Sequence, residues 1–398
     1  MLTILNMDPA RNPYAPGAGV KPPALTGRDQ TIQDARIALG RIGNKRPARG
    51  IILYGLRGVG KTVLLREMQN MAKGLGFQTY WLEAPEKKSL PATLAPALRS
   101  ILLRLGGGEA SSQVKKALGV LASFVSSMKM KYNDLEFSWN LPEAAGIGDS
   151  GDLEIDLTDL FLSVGEAALE KNTVVSLFID ELQHIPEEQL GALISALHQT
   201  SQRALPVTLM GAGLPQILAK SGKVKSYAER LFKYVEVGAL EPDAARAALT
   251  KPAEQEGVEF TQTALDFIIR ETHRYPYFLQ EWGSQAWDIA SCSPIDIQEV
   301  ERASDIAVAE LDASFFRVRF DRMTPAEKNY VHAMARLGEG PHRSKEIAKG
   351  LGKDVKQVAP FRSSLIAKGM IFSPAHGDTA FTVPLFDQFI LRTWTPDS

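Results

Sequence analysis

The sequence predicts an α/β fold on a parallel sheet, followed by a helical segment and a small terminal domain. Three observations carry that expectation. The apolar run Gly50-Ile51-Ile52-Leu53-Tyr54 stops at a glycine-rich turn, then restarts as a helical apolar face at Val63, Leu64 and Met68. A second apolar run, Val174 to Ile179, ends in the acids Asp180 and Glu181. From about Glu241 the pattern turns all-helical. Runs that are apolar throughout suit strands covered by helices on both faces. At 398 residues the chain exceeds one ordinary core, so two or three domains are expected.

The turn after the first strand is Gly55-Leu56-Arg57-Gly58-Val59-Gly60-Lys61-Thr62, which fits G-x-x-x-x-G-K-[ST]. Gly55, Gly58 and Gly60 permit positive φ, so the backbone N–H groups can form an anion nest. Lys61 can reach β- and γ-phosphates, and the Thr62 hydroxyl can ligate Mg²⁺. The helix from Thr62 to about Lys73 points its positive end at the phosphates. Val59 and Val63 complete the predicted contact set. At the second strand's tip, Asp180 is the expected Mg²⁺ holder and Glu181 the group that polarises the attacking water. ATP and Mg²⁺ are the expected cofactors, with ATP hydrolysis as well as binding.

Composition excludes several other classes. Net charge is −1, with 44% hydrophobic and 23% charged residues, so any nucleic-acid surface must be local. Cys292 is the single cysteine, which rules out an internal disulfide framework and fits a reducing compartment. The six histidines lack metal-ligand spacing. No apolar run reaches membrane-spanning length, and the start MLTILNMDPARNPY is unlike a signal peptide, so the chain reads as cytoplasmic with no membrane partner. There is no transporter signature, no guanine-reading N-K-x-D and no nuclease or protease constellation.

Further segments carry a resemblance. Asn12-Pro13-Tyr14-Ala15-Pro16-Gly17 leads to Leu25-Thr26-Gly27-Arg28-Asp29, which resembles the "GR-acid" box of AAA+ ATPases related to Orc1/Cdc6 initiators and archaeal-type ATPases. Leu205 to Gly213 resembles their sensor-1 strand, with Thr208 and Ala212 as alternative positions for its polar residue. Tyr227-Ala228-Glu229-Arg230-Leu231-Phe232 resembles the segment carrying an arginine finger; the other reading of Arg230 is an ordinary surface arginine. Thr272 to Glu281 resembles the G-x-P-y-f-L-q segment of archaeal-type and signalling (STAND) ATPases, with Arg274 where glycine is usual. Arg274 then either touches the γ-phosphate or weakens the turn, and Pro276 packs by the base. Together these boxes span residues 12 to 290. The resemblance implies a P-loop AAA+ core over 1–240, with an insertion around 86–157, and a helical lid over 241–320. It also implies a homo-oligomer in which Arg230 acts in trans.

Within the insertion, helices are expected over 92–105 and 111–128, and a hairpin around Met130–Trp139 with Phe137 and Trp139 on one face. The tail 321–398 reads as a winged helix-turn-helix. Thr324-Pro325-Ala326-Glu327 is a capping box, and helices at 343–349 and 354–369 precede a two-stranded wing at 370–383. Pro360 should kink the second helix or delay its start. Residues 343–368 hold seven bases against two acids, so duplex DNA is an expected partner through 343–383, packing against protein being the alternative. The expectation is an Mg-ATP-dependent ATPase that controls assembly on, or remodelling of, DNA. The alternative is a STAND-type switch, or the ATPase subunit of a mobile-element or anti-phage system acting on a separate effector.

Overall fold

The computed structural model describes residues 7–17, 19–84, 88–107, 110–129, 131–135, 144 and 146–395. Residues 130 and 136–139 of the expected hairpin, Phe137 and Trp139 among them, lie outside these. The chain divides into two compact units. One contains residues 29–55 and 61–236; the other gathers the residues up to 28, residues 56–60 and those from 237 on.

The first unit is a five-stranded parallel sheet. Its elements, in order, are α1 (Asp29–Gly43), β1 (Gly50–Tyr54), α2 (Lys61–Gly74), β2 (Gln78–Glu83), α3 (Leu90–Gly106), α4 (Ser112–Lys129) and α5 (Leu153–Glu170). Then come β3 (Val175–Asp180), α6 (Glu187–Gln202), β4 (Val207–Gly213), α7 (Gln216–Val224), α8 (Ala228–Leu231) and β5 (Phe232–Glu236). The strand order is β2-β3-β4-β1-β5. Ile51 pairs with Met210, and Phe178 with the same Met210 from the other side. β3 is buried along its whole length, as a central parallel strand must be. The expected insertion is helical: α3 and α4 add a layer to α5, with Phe124 and Phe161 buried in one continuous core with the sheet. Asp156 ties this layer down. Its buried carboxylate accepts from Ser150 N–H (2.8 Å), Gly151 N–H (3.0 Å) and the Ser127 hydroxyl (2.9 Å).

The second unit contains α9 (Pro242–Gln255), α10 (Gln262–Glu271), α11 (Pro276–Ile289) and α12 (Ile297–Glu310). Beyond α12 the chain turns π-helical over Leu311–Phe316 before α13 (Arg317–Phe320). That turn accommodates two adjacent aromatics with different partners. Phe315 stacks on Tyr277 at 4.8 Å, and Phe316 on Phe389 at 5.4 Å.

The tail continues with α14 (Pro325–Ala335), β6 (His342–Arg343), α15 (Ser344–Gly350), α16 (Val355–Ala367), β7 (Ile371–Phe372), β8 (Asp378–Phe381) and α17 (Phe386–Thr393). The small strands form an antiparallel sheet in the order β6-β8-β7. Pro360 does not break α16: it sits inside the helix on an exposed position, where water can take the carbonyl that loses its donor. Among the described residues, no helix is long and apolar enough to cross a membrane.

Glu327 locks the tail. It caps α14 by accepting from Thr324 N–H (2.7 Å) and also accepts from Ser364 (2.6 Å) and Lys368 (2.6 Å) of α16 and its end. Burial pushes its carboxyl up, but these three donors win and hold it at about 2, against an ordinary 4.5. A depressed folded pKa contributes stability that is fully present above pH 4.5 and lost as pH falls toward 2. Comparing urea midpoints of the wild type with Glu327→Gln should therefore show a clear deficit at pH 7 that shrinks steadily below pH 4.5. A deficit that stays constant down to pH 2.5 would refute this assignment.

Candidate active site

Within the sheet unit, five predicted residues come together: Gly55, Lys61, Thr62, Asp180 and Glu181. The sheet ends β1 at Tyr54, and the Gly55 N–H donates to the Gly213 carbonyl at the tip of β4 (3.3 Å). Lys61 opens α2 and is buried; its Nζ donates to the Gly55 carbonyl at 3.0 Å. The next residue, Thr62, donates its hydroxyl to Oδ2 of Asp180 at 2.7 Å. Asp180 Oδ1 accepts the Glu181 N–H at 2.8 Å. Burial raises the Asp180 carboxyl pKa, while Thr62 and the Glu181 N–H oppose the rise. A buried carboxylate facing a hydroxyl is a fitting donor set for a hard cation, which takes oxygen ligands. No group of three or more His, Cys, Asp or Glu able to hold a metal occurs among the described residues.

Glu181 is strained. Its backbone is left-handed, at φ 55° and ψ 39°, a conformation that costs a side-chain-bearing residue about 1–2 kcal/mol. Gln183, which sequence reasoning missed, restrains its carboxylate. The Gln183 Nε2 donates to Glu181, the buried Oε1 accepts the Leu214 N–H at 3.0 Å, and His184 Nε2 lies 3.8 Å from Glu181. A Cβ on Gly213 would come within 3.0 Å of that Oε1, so glycine leaves room for the bridge. The tip of β4 thus connects to Glu181 through Gln183. Thr208 and Ala212 play no such part: Ala212 carries no polar group, and Thr208 pairs with Ser176 near the start of β4. There it lines a cavity of about 660 Å³ at the N-terminal ends of the strands, the opposite end from Gly55 and Asp180. The pattern D-E-x-Q was the available signal.

Arg230 also lies at that opposite end. It is exposed in α8, immediately before edge strand β5, whose Phe232 pairs with Gly50.

In the other unit, residues 56–60 of the loop are held by neighbours on three sides. Gly58 and Gly60 take φ of 82° and 91°; Gly55, expected to do the same, is not in the left-handed region. A Cβ on Gly58 would meet the Tyr275 ring at 3.1 Å and Tyr277 Cβ at 3.3 Å. The Tyr275 hydroxyl donates to the Arg57 carbonyl, and Tyr277 N–H to the Gly58 carbonyl at 3.3 Å. Arg57 N–H donates to the Thr382 carbonyl, just after β8, at 3.2 Å. Arg28 donates to the carbonyls of Val59 (3.4 Å) and Gly238, and burial lowers its pKa. Gly27 (φ 67°) leaves only 2.6 Å between a built Cβ and Ala244. Upstream, Tyr14 is buried with its hydroxyl on the Leu249 carbonyl, and Asn12 donates to Asp288 at 2.9 Å. This arm therefore docks on α9 and α11.

The segment around Arg274 keeps its turn. Arg274 has φ 61° and His273 φ 49°, and the Leu240 N–H donates to the Arg274 carbonyl at 3.0 Å. Pro276 starts α11, where its missing N–H costs nothing. The glycine-to-arginine departure thus retains the left-handed geometry at a cost in strain.

Two outcomes follow for purified protein. Arg274→Gly should raise stability by about 0.5–1 kcal/mol, relief of strain exceeding the added unfolded-state entropy; thermal melting checks it, and a lower melting point would mean that the arginine side chain holds the turn. Gln183→Ala should cost about 1–3 kcal/mol by orphaning the Leu214 N–H. An unchanged melting point would show the bridge to be unimportant.

Residues 24–210 match the family model described as AAA ATPase domain. Residues 313–390 match one described as a domain of unknown function (DUF8462). Among solved structures, the chain is similar to the Walker-type ATPase paby2304 of Pyrococcus abyssi, at 12% identity and TM-score 0.58, over 92% of this chain and 96% of that one. It is similar also to the Aeropyrum pernix Orc1 protein in complex with DNA, at 14% identity and TM-score 0.47, over 96% of each chain. The Thermotoga maritima RuvB Holliday junction branch migration motor matches at 14% identity and TM-score 0.46, over 95% of this chain and 100% of that one. No curated protein sequence matches. At these identities the likeness concerns the fold alone. From its sheet order, its glycine-rich loop and its likeness to the Walker-type ATPase, the chain is an α/β protein of the phosphate-loop NTPase fold, and its residues 24–210 resemble an AAA ATPase domain.

Proposed function

We propose that the chain binds Mg-ATP and hydrolyses it to ADP and phosphate. The observation that carries this reading is the 2.7 Å hydrogen bond from Thr62 to Asp180, which brings the loop hydroxyl and the strand-tip carboxylate to one point. In the proposal, the N–H groups of Gly58, Val59, Gly60, Lys61, Thr62 and Val63 cradle the phosphates, with Gly55 setting the loop's start. Lys61 neutralises the β- and γ-oxygens. Thr62 and Asp180 hold Mg²⁺, which supplies charge neutralisation on the phosphates. Glu181, restrained by Gln183, accepts a hydrogen bond from the attacking water and orients it in line with the γ-phosphorus. Arg274 and Pro276 flank Tyr275, whose hydroxyl reaches the Arg57 carbonyl of the loop; they are the proposed contacts from α11 and the turn before it.

For Glu181→Gln, equilibrium ATP binding should stay within about twofold of wild type, while turnover drops by about a hundredfold or more. Loss of binding in this variant would point to misfolding, and retained turnover would remove Glu181 from the mechanism. Asp180→Asn should instead weaken the Mg²⁺ dependence of ATP binding.

Arg230 is proposed to act on the site of a neighbouring copy in a homo-oligomer, which suits an exposed arginine beside an edge strand. Arg230→Ala alone and Glu181→Gln alone should both be nearly inactive, the former by about a thousandfold. Mixing the two variants should restore part of the turnover. No restoration would return Arg230 to an ordinary surface role.

The tail's order of helix, short strand, two helices and antiparallel pair supports reading it as a winged helix-turn-helix, with duplex DNA as the proposed partner through 343–383 and ATP controlling assembly on it. The charge supports this only in part. Arg343 pairs with Asp378 (3.0 Å), Arg362 binds Thr379 and Ser373, and Lys368 binds Glu327. Lys345, Lys349, Lys353 and Lys356 are exposed. A second reading, a nucleotide-controlled switch acting on a separate effector, is favoured by the bond from Arg57 N–H to the Thr382 carbonyl, since tail and loop are then one hydrogen-bonded set. Tyr275→Phe, which removes a loop contact, should speed ADP release several-fold under the switch reading and leave it unchanged under the first.

A further inference from the structure

A second concentration of positive charge, apart from that of the tail, lies on the sheet unit. Residues 35–49 contain five bases and no acid, in a chain of net charge −1. Arg41, Lys45, Arg46 and Arg49 are all exposed, at the end of α1 and in the loop leading into β1. Among the described residues, Arg41 bonds only a backbone carbonyl, that of Pro47 (3.2 Å), and no carboxylate.

The loop separates two concavities at the N-terminal end of the sheet. One, of about 460 Å³, is lined by Arg41, Arg49, Arg230 and Lys233. Its single carboxylate, Asp34, is already taken by Lys233 at 2.6 Å, and that contact holds the Asp34 carboxyl below its ordinary range. The other, the 660 Å³ cavity described above, is bordered by Lys45 and Arg46 and by no acid. Like charges gathered this way repel one another, and a polyanion laid across them relieves the repulsion while releasing its own counterions.

We propose that this cationic surface, from Arg41 to Arg49 with Lys233, is a contact for the phosphate backbone of duplex nucleic acid. It lies at the end of the sheet opposite the ATP-site residues Gly55, Thr62 and Asp180, so the duplex would bind without entering that site. The proposal shares its ligand with the tail reading above but rests on a different surface. Because the contacts are to phosphates, the binding is independent of sequence and steeply dependent on salt. Each lost phosphate contact lowers the slope of log affinity against log salt by about 0.9.

The test uses the full chain and a fluorescent 30-base-pair duplex, with anisotropy measured from 50 to 300 mM NaCl. Arg46→Glu with Arg49→Glu should weaken binding at least tenfold at 100 mM and reduce the slope by about two. ATP binding should be unchanged, since neither residue belongs to the nucleotide site, and unchanged melting will show that the variant is folded. Lys353→Glu with Lys356→Glu is the parallel arm for the tail. Wild-type binding in the core variant, whatever the tail variant does, would overturn this inference alone. A tail variant that binds like wild type, beside a weakened core variant, would support it and remove the tail contact. Absence of duplex binding by the wild-type chain would overturn both contacts and leave the ATPase reading untouched.

Discussion

Thr62 can donate to Asp180 because a single strand, β4, separates β1 from β3. Two inter-strand steps of about 4.8 Å set the strand tips roughly 10 Å apart. The first turn of α2 spans that gap from one side and the carboxylate from the other. With no strand between them the two side chains would crowd; with two, a hydroxyl could not reach. The order β2-β3-β4-β1-β5 is therefore a condition on the chemistry as well as a description of the sheet. The Gly55–Gly213 bond and the Gln183–Leu214 bond both end on the tip of β4, which makes that tip the fixed point from which loop and acids are measured.

Much of this was legible because the relevant signals are local. Strand β1, the loop, α2 and the two acids each announce themselves within a dozen residues. The same holds for the capped starts of α14 at Thr324 and α11 at Pro276, where an N-cap and a proline state the helix boundary outright. Other features left no local trace. Strand β5, Phe-Lys-Tyr-Val-Glu, is a short edge strand of mixed polarity, and its assignment depends on pairing with β1 across 180 residues of chain. The docking of Asn12 and Tyr14 depends on partners more than 230 residues away. The π-helical turn is a packing solution for Phe315 and Phe316, which periodicity reads as ordinary helix.

Charge shows the same limit from another direction. Counting bases in 343–368 gives an excess of five, yet the fold assigns three of the seven to internal bonds. Arg362 anchors α16 to the antiparallel pair, Lys368 completes the Glu327 lock, and Arg343 faces Asp378. A count along the sequence cannot distinguish a charge offered to a partner from one used in the fold. In residues 35–49 the count and the fold agree, because the loop has no acid to pair with and projects from the end of the sheet.

The left-handed backbone at Glu181 has a consequence for descent. Only glycine relieves such a conformation fully, and asparagine does so in part. A lineage that keeps the carboxylate must carry the strain in every generation, and selection for turnover is what opposes its loss. Once hydrolysis ceased to matter, drift toward glycine or asparagine at this one position would improve stability and remove the proposed water-orienting group in a single step. Under the role proposed for Glu181, the residue following the strand-tip aspartate would be a historical record: glutamate there would go with turnover kept under selection, and glycine with its loss.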